Sequence, residues 1–177
     1  GADARAAVVR AGTAIGIGMG GFVDGILFHQ ILQIHNMLSA RISPDTLVGA
    51  KVNMVWDGLF HAGVWAMTVL GILLLWRAGR VREADLSGRL LAAGGLIGWG
   101  LFNLVEGVIN HHLLQLHHVY EPLGLSTWDY AFLAWGAAMT IGGLVPIAAT
   151  VTRAMRRCRF HRCIARAMMK PPMNRKM

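Results

Sequence analysis

Four apolar segments, each long enough to cross a bilayer, restrict the fold of this chain more than any other feature. A spanning helix needs about 20 mainly apolar residues, and inside a bilayer only helices and closed barrels satisfy their own backbone hydrogen bonds. Hydrophobic residues make up 55% of the chain, a share that is rare in a soluble domain. The sequence therefore predicts an all-α integral membrane protein whose four helices form a bundle.

The predicted helices comprise residues 8–38, 46–76, 90–119 and 128–152. They form a predicted transmembrane domain, residues 1–152, which is followed by a basic cytoplasmic tail, residues 153–177. The first segment carries Asp24 and is longer than the apolar core of a secretion signal, so we expect it to remain as a helix.

A polar pattern of the first helix recurs in the third helix at a constant offset. The matched positions are glycines, one carboxylate and two histidines: Gly12 and Gly94, Gly16 and Gly98, Asp24 and Glu106, His29 and His111, and His35 and His117. A fainter pattern, which contains Trp56-Asp57 and Trp128-Asp129, links the second and fourth helices. The sequence thus predicts two tandem helical-hairpin repeats, related by a pseudo-two-fold axis along the membrane normal.

The distribution of basic residues predicts the orientation of the chain. Arginines precede the first helix, fill the loop between the second and third helices and recur in the tail, whereas the two short turns at the other end hold few. The positive-inside rule therefore predicts a multi-pass protein of the bacterial inner membrane with both termini in the cytoplasm. The histidine-rich helix ends would then face the outer side.

The net charge of +8 could suggest a nucleic-acid partner, but basic residues confined to helix flanks and a tail are typical of membrane topology and argue against one. We expect the lipid bilayer to be the main partner, with other membrane subunits or a respiratory complex as further candidates. The tail arginines predicted to contact anionic lipid are Arg153, Arg156, Arg157 and Arg159.

Ionisable side chains inside the apolar segments are the strongest functional signal. A charge at the bilayer centre costs about 3 kcal/mol or more, so such groups persist where they face a partner, water or a metal ion. Helical periodicity and depth predict an inner set of metal ligands: Asp24, His29, Asp57, His61, Glu106 and His111. Asp24, His61, Glu106 and His111 are the strongest candidates. The residues expected beside them, or on an access route from outside, are His35, Asn53, Asn110, His117 and His118.

Carboxylates and imidazoles from several helices are how metal sites in helical bundles are built. These ligands suit zinc, iron or copper, and nearby Met19, Met37 and Met54 would favour Cu(I). The spacing raises a difficulty, because a carboxylate and an imidazole five residues apart lie about 140° apart on a regular helix. Either they serve different sites, or a π-bulge near Gly25 and Gly107 brings them together.

Three motifs resemble a bacterial membrane-protein family known as domain of unknown function 2243. They are D-G-I-L-F-H-Q-I-L-Q-I-H-N, N-M-V-W-D-G-L-F-H and G-W-G-L-F-N-L-V-E-G-V-I-N-H-H-L-L-Q-L-H-H-V. The resemblance covers the four predicted helices and not the tail, and it implies a four-helix protein of the inner membrane.

Several functions fit this pattern. The leading interpretation is a metal-binding or metal-handling protein whose buried site opens to the outer face, for example one that supplies copper to respiratory oxidases. A membrane metalloenzyme, either a di-metal oxidoreductase or a hydrolase, is the second interpretation, for which the sequence identifies no catalytic residue. A metal-free proton relay and an accessory subunit of a larger complex are further alternatives. The same polar residues could also simply hydrogen-bond the helices together.

Overall fold

The computed structural model describes residues 2–80 and 86–168, and within these ranges the chain forms helices and no strands. The first and third helices each change from α to π geometry before they end. The elements in chain order are α1 (Ala2–Phe22), π1 (Val23–Ile31), α2 (Leu47–Gly79), α3 (Gly88–Glu106), π2 (Gly107–Leu113), a 3-10 turn (Glu121–Leu123) and α4 (Thr127–Met168).

Four helical stretches within these ranges are long and apolar enough to cross a membrane, which confirms the predicted number of spans. They are Asp3–Ile31, Leu47–Gly79, Gly88–Leu113 and Thr127–Arg153. The fourth helix continues past the predicted end of the transmembrane domain to Met168. Arg153 and Arg156 of the predicted tail are exposed, whereas the side chains of Arg157 and Arg159 lie outside the described part of the structure.

The α1 and α3 helices form the centre of the bundle, with α2 packed against α1 and α4 packed against α3. Small residues permit the close approach of the central pair. A Cβ atom on Gly16 would collide with the backbone of Gly95, and one on Gly98 would collide with the carbonyl oxygen of Thr13. This contact is the close helix crossing that small residues allow in membranes.

Polar side chains occupy the most deeply buried positions at one end of the bundle. Among the described residues, the largest fully buried side chains are those of His29, His111, His117, Val8, Asn53, Asp57 and Asp129. Val8 belongs to a small apolar cluster with Ala78 and Leu90 near the opposite end. The bundle therefore has a polar centre and an apolar surface, which is the arrangement expected of a membrane protein with an internal site.

The first and third helices end earlier than the sequence predicts, at Ile31 and Leu113 rather than at residues 38 and 119. Gln33 and Gln115 follow with φ angles of 51° and 47°, in the left-handed region that stops a helix. Two connecting segments, residues 32–46 and 114–126, therefore fold back over the helix ends instead of extending them.

The two connecting segments are joined to each other and close the polar end of the bundle. The backbone N–H of Ala40 donates to the carbonyl oxygen of Leu116 at 3.0 Å. The Ser39 hydroxyl donates to the Glu121 carboxylate at 2.9 Å. We refer to residues 32–46 and 114–126 together as the cap.

Candidate metal centre

Six buried side chains converge beneath the cap, and each is at most 5% exposed: Asp24, His29, His35, Glu106, His111 and His117. Four of them lie at or beside the π-helices, while His35 and His117 lie in the cap. The sequence predicts His35 and His117 beside the ligands or on an access route, and in the structure both lie inside the cluster.

The π-helices resolve the spacing difficulty. The Nε2 atom of His29 lies 3.3 Å from Oδ2 of Asp24. In the other half, Nε2 of His111 lies 3.2 Å from Oε2 of Glu106. Five-residue spacing aligns two side chains in a π-helix, whereas it separates them in an α-helix. Of the two alternatives left open by the sequence, the π-helical one is confirmed.

The cap histidines approach the same carboxylates from the other side. Nε2 of His117 lies 2.8 Å from Oε1 of Glu106, and Nε2 of His35 lies 3.8 Å from Oδ1 of Asp24. The rings of His35 and His117 are stacked, with their centroids 4.8 Å apart. Each carboxylate therefore lies between one helical and one cap histidine.

Two further aspartates orient the helical histidines. Nδ1 of His29 lies 2.9 Å from Oδ1 of Asp57, and Nδ1 of His111 lies 3.1 Å from Oδ1 of Asp129. Of these two contacts, the one between His29 and Asp57 is a hydrogen bond. When the ring is neutral with its proton on the Nδ1 atom that faces the aspartate, its Nε2 lone pair faces the centre. Carboxylates hold metal-binding histidines in this way in many metalloproteins.

The cap histidines are oriented by backbone carbonyls across the two halves. Nδ1 of His35 lies 3.0 Å from the carbonyl oxygen of Val119, and Nδ1 of His117 lies 3.1 Å from that of Met37. These contacts direct each Nε2 atom towards the centre, where that of His117 hydrogen-bonds to Glu106.

The orienting aspartates also hold the cap in place. Oδ1 of Asp57 accepts a hydrogen bond from the Met37 N–H at 2.9 Å, and Oδ1 of Asp129 accepts one from the Val119 N–H at 3.0 Å. The N–H of Ser126 also donates to Asp129, at 2.8 Å. Each aspartate thus links one histidine of the cluster to the cap segment above it.

Several buried polar atoms of the cluster have no hydrogen-bond partner among the residues that the structure describes. Those that belong to the six residues are Asp24 Oδ2, His29 Nε2, His35 Nε2, Glu106 Oε2, His111 Nδ1 and His111 Nε2. Two sets of three residues have ligand atoms within 4.8 Å of one another and could hold a metal ion: His29, His35 and His117, and Glu106, His111 and His117.

The two cap histidines lie outside the spanning stretches, and their pKa values move in opposite directions. Burial lowers the pKa of His35 more than the bond to Asp24 raises it. Burial also acts to lower the pKa of His117, but the hydrogen bond to Glu106 and its charge outweigh burial and raise that pKa above its usual value. Protons therefore compete more strongly at His117 than at an ordinary histidine with a metal ion that binds beside Glu106.

Three predicted inner ligands lie outside the two sets of described residues that could hold an ion: Asp24, Asp57 and His61. Asp24 nevertheless contacts His29 and His35. Nδ1 of His61 lies 2.7 Å from the carbonyl oxygen of Asp57 on the same helix. A Cβ atom on Gly25 would come within 2.7 Å of His61 Nε2, so the ring packs against the π1 backbone. His61 is thus beside the centre, while Asp57 supports His29.

Three other predicted residues surround the centre. The Asn110 amide donates to Oε1 of Glu106 at 3.3 Å. Asn53 accepts a hydrogen bond from the Leu38 N–H at 2.9 Å and so helps to hold the cap. Nδ1 of His118 lies 3.6 Å from Oδ1 of Asp129.

Asp129 is fully buried and contacts His111, whereas the sequence groups it only with the outer histidines His35, His117 and His118. The sequence signal for its supporting position is the faint Trp-Asp repeat, in which Asp129 matches Asp57.

An apolar cleft of about 430 Å³ adjoins the centre. Glu106 and Asn110 supply its polar lining, whereas the rest of its wall is apolar and includes Phe60 and Phe102. Leu101, which also lines the cleft, is exposed on the lateral surface of α3. The cleft therefore connects the apolar surface of the bundle with a carboxylate of the cluster.

Comparison with known families gives one match. The model of the family described as predicted membrane protein DUF2243 matches residues 11–150, a range that includes the whole cluster. Comparisons with curated proteins and with solved structures find no match. The match spans most of the chain, and the protein belongs to the DUF2243 family of predicted membrane proteins.

Proposed function

We propose that this membrane protein holds transition-metal ions in the buried His/carboxylate centre. The observation that carries the proposal is the set of buried nitrogen and oxygen atoms that converge without hydrogen-bond partners. An unsatisfied buried polar group costs about 1–3 kcal/mol, so a cluster of them is unfavourable unless a ligand satisfies it. Metal binding would satisfy the Nε2 and carboxylate oxygen atoms of this set.

The donor atoms restrict the ion that would bind. Imidazole nitrogen and carboxylate oxygen suit iron, manganese, zinc and Cu(II), whereas Cu(I) favours thiolate and thioether sulfur. The six converging side chains are histidines, one aspartate and one glutamate. Iron, zinc and Cu(II) are therefore the leading candidates for the cofactor.

Burial supports a resident ion over a rapidly exchanged one. His29, His35, His111 and His117 are at most 2% exposed, and the hydrogen-bonded cap covers them. An ion could leave only after the cap opened. Copper supply to a respiratory oxidase, which requires transfer to a partner, would depend on such an opening.

The cleft beside Glu106 favours a second candidate function, a membrane-embedded metalloenzyme. Its volume of about 430 Å³ falls in the range of small-molecule sites, and it reaches one of the proposed ligands. Because its wall is largely apolar, a substrate that partitions into the bilayer would fit. A metal ion next to such a substrate could support redox or hydrolytic chemistry.

The proposed orientation follows from the number of spans and from charge. Four spans place both ends of the transmembrane domain on one side of the membrane. The basic flanks favour the cytoplasm for that side, so the cap would face outward. Lipid is the partner that fits the exposed apolar surfaces of α2 and α4, and a role beside other subunits stays a hypothesis.

Elemental analysis of the protein, purified in mild detergent without a chelator, tests the metal proposal. We expect stoichiometric iron, zinc or copper in the parent protein and its loss in an Asp24→Ala/Glu106→Ala variant. A His61→Ala variant is the matched control, since His61 lies beside the centre and should be dispensable. No metal in the parent, even after incubation with each ion, would overturn the proposal and favour a proton relay or polar packing.

A further inference from the structure

We propose that the centre is dinuclear, with one ion bound by Asp24, His29 and His35 and the other by Glu106, His111 and His117. This inference rests on the proposed function and extends it to the number of ions and their ligands. The first three residues are called site A and the last three site B.

The two sites have matching internal geometry. The distance from the carboxylate oxygen to the Nε2 atom of the helical histidine is 3.3 Å in site A and 3.2 Å in site B. The distance from Nδ1 of that histidine to its orienting aspartate is 2.9 Å in site A and 3.1 Å in site B. A single ion could be bound by only one of these two matching ligand sets, and the other set would have no ion.

Each site supplies a complete small ligand set. Two histidines and one carboxylate form the set that binds non-haem iron and leaves further coordination positions open. In each site, the Nδ1 atoms of both histidines face acceptors, and both Nε2 atoms lie beside the carboxylate of that site. The two ligand sets are assigned separately, and His117 also has a ligand atom within 4.8 Å of those of His29 and His35.

The sites are adjacent, as a dinuclear centre requires. The stacked rings of His35 and His117, one from each site, have centroids 4.8 Å apart. His29 of site A and His117 of site B have centroids 5.6 Å apart. His117 also belongs to both sets of ligand atoms that lie within 4.8 Å of one another. Paired metal ions in proteins are about 3.5–4 Å apart, so ions that share a centre need ligand sets in direct contact, as these are.

The buried charge also matches two ions. Four buried carboxylates meet here: Asp24, Asp57, Glu106 and Asp129. In the described part of the chain, their ion-pair partners are all histidines. Neutral histidines, the form that binds metal, leave four negative charges in a low-dielectric region. Two divalent ions neutralise that charge, whereas one divalent ion leaves half of it uncompensated. Burying uncompensated charge is strongly unfavourable.

Metal stoichiometry of the full chain tests the inference. The protein is stripped with a chelator, reloaded separately with Fe(II), Zn(II) and Cu(II), and its metal is counted against protein from amino-acid analysis. We expect two ions per chain for at least one metal. One ion per chain for every metal would overturn the dinuclear inference and leave the proposed function standing, whereas no ion would overturn both.

Variants of single sites supply a second test. His29→Ala and His111→Ala should each reduce the count from two ions to one, and His61→Ala should retain two. Size-exclusion elution in detergent identifies any variant that is misfolded, and His29→Gln and His111→Gln replace such a variant. A folded site A or site B variant that kept both ions, or lost both, would contradict the assignment of separate ligand sets.

Electron paramagnetic resonance of the Cu(II)-loaded protein reports the distance between the ions directly. Two Cu(II) ions a few ångströms apart are expected to give a half-field signal from the coupled pair. That signal should be absent from both single-site variants. A Cu(II)-loaded parent with two ions and only an isolated-ion spectrum would overturn the placement of the two ions side by side.

Discussion

His35 and His117 stack with their ring planes only 9° from parallel, although they come from different connecting segments. Each is also held by the opposite half of the chain, since Nδ1 of His35 contacts the carbonyl oxygen of Val119 and Nδ1 of His117 contacts that of Met37. The cap histidines therefore reach their positions only when both segments have folded back. Formation of the centre and closure of the cap are one structural event.

This relationship predicts that loss of one cap histidine weakens both metal binding and the cap. We expect His35→Ala to reduce metal affinity at least tenfold and to lower the free energy of unfolding by about 1–3 kcal/mol, because a buried carbonyl loses its donor. Metal titration and thermal unfolding in detergent measure the two effects. His112→Ala is a suitable control, since His112 contacts the carbonyl of Gly107 and stays outside the proposed ligand sets. Equal affinity and stability in His35→Ala and the parent would contradict the prediction.

The orienting aspartates predict a different outcome. Asp57→Asn and Asp129→Asn keep all six proposed ligands but weaken the acceptors that fix the proton on Nδ1 of His29 and His111. Replacement of such partners commonly lowers metal affinity about 10–100-fold. We expect a loss of that size, measured by competition with a chelator of known affinity, with the metal count at saturation unchanged.

Asp45→Asn provides the control for this charge removal, because Asp45 is exposed and bonds to the Ser43 hydroxyl away from the centre. If the Asp57→Asn and Asp129→Asn variants bound metal as tightly as the Asp45→Asn control, the two aspartates would serve only to hold the cap.

The number of helices and the residue types of the site could be predicted from the sequence, because both depend on composition and repeated spacing. The ends of the first and third helices could not. Gln33 and Gln115 adopt left-handed φ angles without the glycine or proline that usually marks a helix end. As a result, His35 and His117 were placed along extended helices rather than in a cap folded back over Asp24 and Glu106.

Which side chains of α2 reach the centre was also hard to predict. His61 and Asp57 lie four residues apart and share one polar stripe, so both were expected to reach the centre. In the structure Asp57 reaches His29, whereas His61 turns to its own backbone and packs against Gly25. Depth and periodicity restrict a residue to a level and a face, but side-chain rotamers decide which atom it contacts.

Acidification should release the metal. Histidine and carboxylate ligands bind ions in their deprotonated forms, so lowering the pH replaces metal with protons. The raised pKa of His117 strengthens the competition from protons at that ligand. We expect metal content to fall steadily as the pH is lowered from neutral to mildly acidic, and to return on neutralisation. Dialysis at a series of pH values followed by elemental analysis measures this, and constant metal content across the series would contradict it.

The crossing of α1 and α3 predicts where a larger side chain is not tolerated. Gly16→Leu would force the new side chain into the backbone of Gly95, and even a smaller overpacking costs about 1–3 kcal/mol. Because this crossing holds the two ligand-bearing helices together, we expect the variant to lose metal as well as stability. Gly63→Leu on α2 is the matched control, since a Cβ at this position would have no atom of the described residues within 4 Å. The thermal unfolding and the metal content of both variants are measured in detergent and compared. If the Gly16→Leu variant bound as much metal as the Gly63→Leu variant, the centre would not depend on this helix crossing.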